Sequence, residues 1–307
     1  MVYSAQSVRL NRCLAPSGTC ENSAIRAHSV QNAAVMGLLQ RNGHVKASSP
    51  RIHKDDSFSL VWQDTGRNLA TTFEGFCSAH DTDLFLPIDS RPLDVADREQ
   101  LFLYAYRAVA RELHTAMEAG IRTQSIYKQR VEAGIDKGDQ PGAAGMLAVE
   151  LMASAYSTYE YKTALDQALT ERRYEVLNHE IIRLTNQAPA IAASVFFGLD
   201  TRQYDEERPR VALNIFPTAK DETLAIFSFT EKDAVAILEY IRGILESDGF
   251  YQKYLLSRTL LMHGENFVVA PSIFDSWPPQ KRDAISDFSL KTVRLNSSEE
   301  SEHLFLF

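Results

Sequence analysis

The sequence predicts an α+β protein in three parts: a cysteine-bearing N-terminal module, a central helical pair, and a C-terminal small sheet with a covering helix. Three observations carry this reading. All three cysteines have been used by Cys77. From Asp94 onward, apolar residues recur at helical spacing through two long stretches. After Pro189 the texture changes to short runs rich in β-branched and aromatic residues, which read as strands. The boundaries fall at 1–92, 93–188 and 189–295, followed by an acidic tail with an apolar end at 296–307.

The elements follow in order. Val30, Ala34 and Leu38, with Val35 and Leu39, mark a helix that Ser29 caps and Asn42-Gly43 stops. "SFSLVW" alternates as a strand, with Phe58, Leu60 and Trp62 on one face, and "DTGRN" supplies a turn. "ATTFEGFC" is a second strand leading into Cys77. "DVAD" opens a long helix with an aspartate cap, and Leu101, Ala105, Val109, Leu113 and Met117 form its apolar face. "DKGDQPGAAG" breaks it. A second helical stretch, with room for an interruption, covers about 144–184 and uses Leu147, Leu151, Leu165 and Leu169. The two helices read as an antiparallel pair.

"IAASVFFGL", "RVALNIFPT", "ETLAIFSF" and "ENFVVAPSIF" are strand candidates. "TEKD" resembles a capping box opening a helix with the face Val235, Leu238, Ile241 and Leu245. "WPPQKRDAI" starts a short helix at its prolines. Glu265-Asn266 is a candidate polar anchor for neighbouring backbone. In the tail "NSSEESEHLFLF" a solvated acidic start precedes Leu304 to Phe307, which are expected to dock on the same chain.

Composition excludes several classes. With 45% hydrophobic and 23% charged residues, 307 residues can build a sizeable core without disulfide staples. Three cysteines cannot all pair within one chain, which points to a reducing setting. "MVYSAQSVRLNRCL" lacks the apolar core of a signal peptide, and no stretch approaches ~20 apolar residues. A cytoplasmic protein without membrane contact is expected. The net charge of −8 opposes a chain-wide nucleic-acid surface, although residues 1–80 carry eight basic against five acidic residues. There is no phosphate-binding loop, dinucleotide fingerprint or serine elbow. Tyr156, Tyr159 and Tyr161 read as helix packing rather than as a base-stacking surface.

The chemistry concentrates in Cys13, Cys20, Cys77 and His80. Thiolates and imidazole are the preferred ligands of zinc, and structural sites close at four. In Cys77-x2-His80, two intervening residues let a first helical turn aim both side chains at one ion. Cys13-x6-Cys20 has a longer loop, in which Pro16 and Gly18 supply a reversal. His28 and His44 read as structural residues, His28 with a lesser catalytic option.

This order of ligands resembles a treble clef, a knuckle followed by a ligand pair at a helix start. More narrowly, residues 12–85 resemble the zinc-bearing HNH nucleases. In that family a histidine between the two halves acts as general base toward water, and residues beside it and after the last zinc ligand hold a catalytic divalent metal. The resemblance implies His28 as the base and Asp81 as a ligand for magnesium or manganese. Ala27 stands where the family commonly has a metal-binding aspartate, and Leu84 and Phe85 stand where a basic or histidine residue follows. Over a wider span, "AHSVQ", "GHV", "FCSAHDTDLFLPID", "QLFLYAYRA" and "ENFVVAPSIF" resemble a group of uncharacterised bacterial proteins, which implies one architecture for these segments.

Two function classes follow. In the first, zinc is structural and the chain is a binding or regulatory protein, its partner a protein, a nucleic acid or a further copy of itself. In the second, it is a metal-dependent endonuclease. Ala27 and the acidic body favour the first.

Overall fold

The computed structural model describes residues 10–16, 18–52, 58–140, 142–200, 208–295 and 304–307. Its elements run β1 (Ile25–His28), a π-helical turn (Asn32–Met36), α1 (Gly37–Leu39), β2 (His44–Ile52), β3 (Phe58–Gly66), β4 (Thr72–Phe76), α2 (Ser78–Asp89), α3 (Arg98–Glu132) and α4 (Ala143–Thr170). There follow β5 (Leu177–Thr185), β6 (Ile191–Gly198), β7 (Arg210–Pro217), β8 (Glu222–Thr230), α5 (Ala234–Leu245), α6 (Gly249–His263), β9 (Phe267–Val269), α7 (Pro271–Ser276) and α8 (Pro279–Leu295). The chain divides into two compact units, neither of them continuous in sequence. In their described parts, one gathers Met1–Ala27, Phe73–Leu86 and Val109–Tyr174, and the other His28–Thr72, Pro87–Ala108 and Glu175–Phe307.

The second unit is built on a seven-stranded sheet in the order β3-β2-β9-β6-β7-β8-β5, with every neighbouring pair antiparallel. The predicted small C-terminal sheet is therefore larger than expected and includes two strands from the N-terminal third. β6, β7 and β8 are buried along nearly their whole length. That explains why they read as continuous apolar runs rather than alternating ones: both faces of the sheet are covered. On one face Val195, Leu213 and Phe227 meet Ile237 and Ile241 of α5, Leu256 and Leu260 of α6, and Ile285 of α8. On the other, Tyr104 of α3 lies against Phe216, ring centroids 4.9 Å apart.

Several expectations change here. Residues 177–184, the end of the second helical stretch expected over about 144–184, are not helical; α4 ends at Thr170. They form β5, which pairs with β8 from Leu177↔Thr230 to Thr185↔Glu222. Pairing along the whole length of β8 sets this segment as a strand, which local sequence spacing does not report. The buried face of α5 is Ile237, Ile241 and Ile244, whereas Val235 is mostly exposed and Leu238 and Leu245 lie at the margin. "ENFVVAPSIF" gives only a three-residue strand, since Pro271 sits at the first turn of α7. α8, expected to be short, has 17 residues. Ser29 does not cap a helix. Its hydroxyl donates to the Thr71 carbonyl at 2.8 Å, and the helical turn that follows has no side-chain cap.

Other expectations are met. Asn42 and Gly43 adopt positive φ in the turn before β2. Asp97 caps α3 by accepting from the Glu99 and Gln100 N–H groups at 3.0 and 3.3 Å. Asn266 anchors backbone, donating to the Ser194 carbonyl and to Ser29 Oγ, both at 2.7 Å. Trp62 packs edge-on to Phe267 and Trp277, while the side chain of Phe58 lies outside those described. The apolar tail docks on its own chain: Leu304 and Leu306 are fully buried, and the Leu306 N–H donates to Ser257 Oγ at 3.0 Å. The acidic start of the tail lies outside the described residues. Among the described residues, no helix is long and apolar enough to cross a membrane.

The first unit holds the later part of α3 with α4, joined by residues 133–142 as a helical hairpin. Gly120 permits their close approach, since a Cβ there would stand 2.8 Å from the sulfur of Met152. The buried face of α4 uses Ala148, Ala155, Tyr161, Leu165 and Ala168, and Leu147 of the expected face is exposed. β1 and β4 form a separate two-stranded sheet.

Candidate metal centre

The segment carrying Cys13 is tied down on both sides. His114 of α3 donates from Nε2 to the Leu10 carbonyl at 3.0 Å, and the Leu10 N–H donates to the Glu118 carboxylate at 3.1 Å. The Leu14 N–H donates to the Gly75 carbonyl of β4 at 2.7 Å. That bond registers the segment against β4 and brings Cys13 Sγ to the Cys77 N–H, which donates to it at 3.3 Å. Between the first two cysteines, Gly18 takes φ +61° and its N–H donates to the Ala15 carbonyl at 3.2 Å. Only glycine adopts such a φ without strain, so the reversal that returns Cys20 is encoded at this position.

The other pair sits where β4 passes into α2. The Cys77 carbonyl accepts the first helical bond, from the Asp81 N–H at 2.9 Å. Cys77 therefore occupies the cap of α2, and His80 lies one turn along. Gly75 matters here too, because a Cβ would stand 2.3 Å from the ring of Phe73. Phe73, Phe76, Phe85 and His114 form an edge-to-face cluster with centroids 5.1–6.0 Å apart. This packing fixes the strand-to-helix junction that presents Cys77 and His80.

The four side chains converge. His80 Nδ1 is 3.3 Å from Cys13 Sγ and 3.4 Å from Cys77 Sγ, and Cys20 Sγ is 3.8 Å from Cys77 Sγ. All four ligand atoms lie within 4.8 Å of one another. A tetrahedral ion with bonds of ~2.3 Å to sulfur would hold two sulfurs ~3.8 Å apart, so the donor set and its spacing fit zinc. Cys13 and Cys77 are buried, and Cys20 lines an open depression of about 370 Å³ with Asn11, Arg12 and Thr19.

The electrostatics suit a cation. The His80 N–H donates to the Cys77 sulfur and, with the neighbouring thiols and the His80 charge, draws its pKa down to about 7 against the effect of burial. Burial pushes the Cys13 thiol up. Lys162 of α4 is buried and paired with Asp166 at 2.6 Å. Burial lowers its pKa, while Asp166 and Cys13 act to keep it charged. Three thiolates and a neutral imidazole around a dication would carry a net charge of −1, and Lys162 supplies a nearby positive charge.

The sequence-predicted residues separate into two groups. Cys13, Cys20, Cys77 and His80 come together. His28 and Asp81 are not members of this cluster. His28 ends β1, with Nε2 3.2 Å from the Arg67 carbonyl, and Asp81 lies in the first turn of α2. Among the described residues, no second group of three or more His, Cys, Asp or Glu side chains brings its ligand atoms together. Sequence reasoning missed His114, Gly75 and Lys162. A histidine and a lysine inside apolar helix faces were visible signals; the role of Gly75 depends on Phe73 and was not. Comparison with known protein families, with curated proteins and with solved structures gives no match.

Proposed function

We propose that Cys13, Cys20, Cys77 and His80 hold one structural zinc ion, and that the chain is a zinc-stabilised binding or regulatory protein with a macromolecular partner. The observation that carries this is the convergence of three sulfurs and one imidazole nitrogen within 4.8 Å. A knuckle, the β1–β4 strand pair and a helix bearing the last two ligands support a treble-clef reading. In it the ion ties the N-terminal segment to the β4–α2 junction, replacing core that short elements cannot supply. Closure by four protein ligands leaves no open position for a substrate, which favours a structural over a catalytic role.

The alternative adds a magnesium- or manganese-dependent nuclease to the same zinc module. Its specific support is the Arg67 carbonyl, which accepts from His28 Nε2 and so favours the tautomer with the proton there. Opposing it, Ala27 carries no ligand atom, and Asp81 joins no second ligand cluster among the described residues.

The test is the Cys77→Ser variant of the full chain. It is expected to lose zinc and to melt at a lower temperature than wild type, with the N-terminal amides losing protection from hydrogen exchange. Unchanged zinc content and unchanged exchange would count against the site. For the alternative, divalent-metal-dependent cleavage of DNA or RNA that His28→Ala abolishes, with folding intact, would replace the structural reading with the enzymatic one.

A further inference from the structure

We propose that a cavity of about 640 Å³ in the second unit binds an uncharged aromatic molecule, whose carbonyl oxygen accepts a hydrogen bond from the Tyr104 hydroxyl. This goes beyond the binding reading above and does not depend on the metal. The volume lies in the range of small-molecule sites. Apolar walls come from Val35, Leu38, Leu93, Phe216 and Pro217. One wall is the π-helical turn Asn32–Met36, closed by the Met36 N–H donating to the Gln31 carbonyl at 3.2 Å. Single π-helical turns are uncommon and concentrate at functional sites.

Tyr104 selects the polar group of the ligand. It is only 5% exposed, and it lines the cavity. Its ring packs on Phe216, whereas its hydroxyl bonds to no group among the described residues and is not sealed in by protein. A hydroxyl held in a buried side chain without a partner is costly, and a carbonyl oxygen in the cavity would satisfy it. Burial pushes the phenol up to about 12, with the Arg107 charge acting against this shift and the Asp89 charge acting with it. The hydroxyl therefore keeps its proton and donates. The charges select against an ionic ligand. Asp89 and Arg91 are the charged residues on the wall, and both are paired. The Asp89 carboxylate accepts from Nη1 and Nη2 of the buried Arg107 at 3.0 and 2.6 Å, and Arg91 lies 3.6 Å from Asp97. An ion entering the cavity would lose hydration and find no free opposite charge. An uncharged ligand avoids that cost, and the Tyr104 and Phe216 rings favour an aromatic one.

The probe is prodan, a neutral naphthalene bearing a ketone. Its emission moves to the blue in apolar surroundings and to the red when the ketone accepts a hydrogen bond. It is titrated into the full chain, with circular dichroism and zinc content read on the same samples, so failure of the metal reading remains separately visible. Wild type is expected to bind a single prodan with a Kd on the order of 10 µM. Tyr104→Phe keeps the packed ring and removes the hydroxyl. It is expected to weaken binding about five- to tenfold and to move the bound emission further to the blue. Ala34→Trp, at an exposed position on the cavity wall, is expected to fill the space and weaken binding by about tenfold or more with the fold intact. Anilinonaphthalene sulfonate, which adds a charge to a similar ring system, is expected to bind wild type about tenfold or more weakly than prodan. If Tyr104→Phe does not fold, Ala34→Trp decides. Absence of saturable prodan binding, binding that both variants leave unchanged, or tighter binding of the sulfonate would each overturn the proposal. Loss in Ala34→Trp with no change in a folded Tyr104→Phe would overturn the assigned hydrogen bond.

Discussion

Asn266 shows how much a single buried amide can organise. Its Nδ2 donates both to the Ser194 carbonyl of β6 and to Ser29 Oγ, and Ser29 Oγ in turn donates to the Thr71 carbonyl. Thr71 has φ +57°, unfavourable for a β-branched residue, and its carbonyl accepts from both the N–H and the hydroxyl of Ser29. Removing the amide leaves buried acceptors unsatisfied. Asn266→Ala is expected to destabilise the protein by about 1–3 kcal/mol, read as a lower urea midpoint with an unchanged slope. The polar anchor itself was legible as Asn266 beside an apolar strand. Its partners were not, because Ser29 and Ser194 are brought to it only by the sheet. The same contrast holds at the metal centre. The cysteines stood out by their scarcity and placement, whereas the Leu14–Gly75 bond that registers them is a backbone contact with no signature in side-chain type.

At the scale of elements, burial on both faces decides what could be read. β6 to β8 were legible as strands because Ile, Val and Phe dominate them, and α3 as a helix because its apolar face repeats over several turns. α5 was legible as a helix but with a displaced face, since Val235 and Ile237 are equally apolar and only packing chooses Ile237. The C-terminal tail was read by the same rule, that four apolar residues after an acidic run need cover. Its anchoring is strong for its length. Leu304 and Leu306 join the core, and the ring of Phe305 stacks on Phe250 at 4.6 Å. Deleting Leu304 to Phe307 is expected to cost about 3–6 kcal/mol, the transfer value of two buried leucines. The loss is measurable by urea denaturation and is expected to leave zinc content unchanged. An unchanged midpoint would mean that the tail does not dock in solution.

For the whole molecule, acid stability follows from two histidines. Burial, and then the Arg98 charge, pushes the His179 imidazole down to about 4, and burial alone pushes His263 down to about 4, both below the ordinary histidine value of about 6.5. Both are therefore neutral in the folded chain over a range where the unfolded chain takes up protons. Stability from this source is complete above pH 6.5 and is lost as pH falls toward 4. Zinc release by protonation of its ligands acts in the same direction. The unfolding free energy is expected to rise between pH 4 and 6.5 in chelator-treated protein as well, where zinc release no longer contributes and the upper part of the window, above the ordinary carboxylate range, reports the histidines. A flat profile in that window would contradict the assigned burial of both rings.

The central claim is that four side chains separated by up to 67 residues in sequence form one zinc site. Elemental analysis of full-length protein purified without chelator tests it most directly, with wild type compared to single substitutions at Cys13, Cys20, Cys77 and His80. One zinc per chain in wild type, with loss in each variant, is the predicted result. Wild-type protein free of zinc, or a full zinc complement retained by the Cys77 and His80 variants, would contradict it.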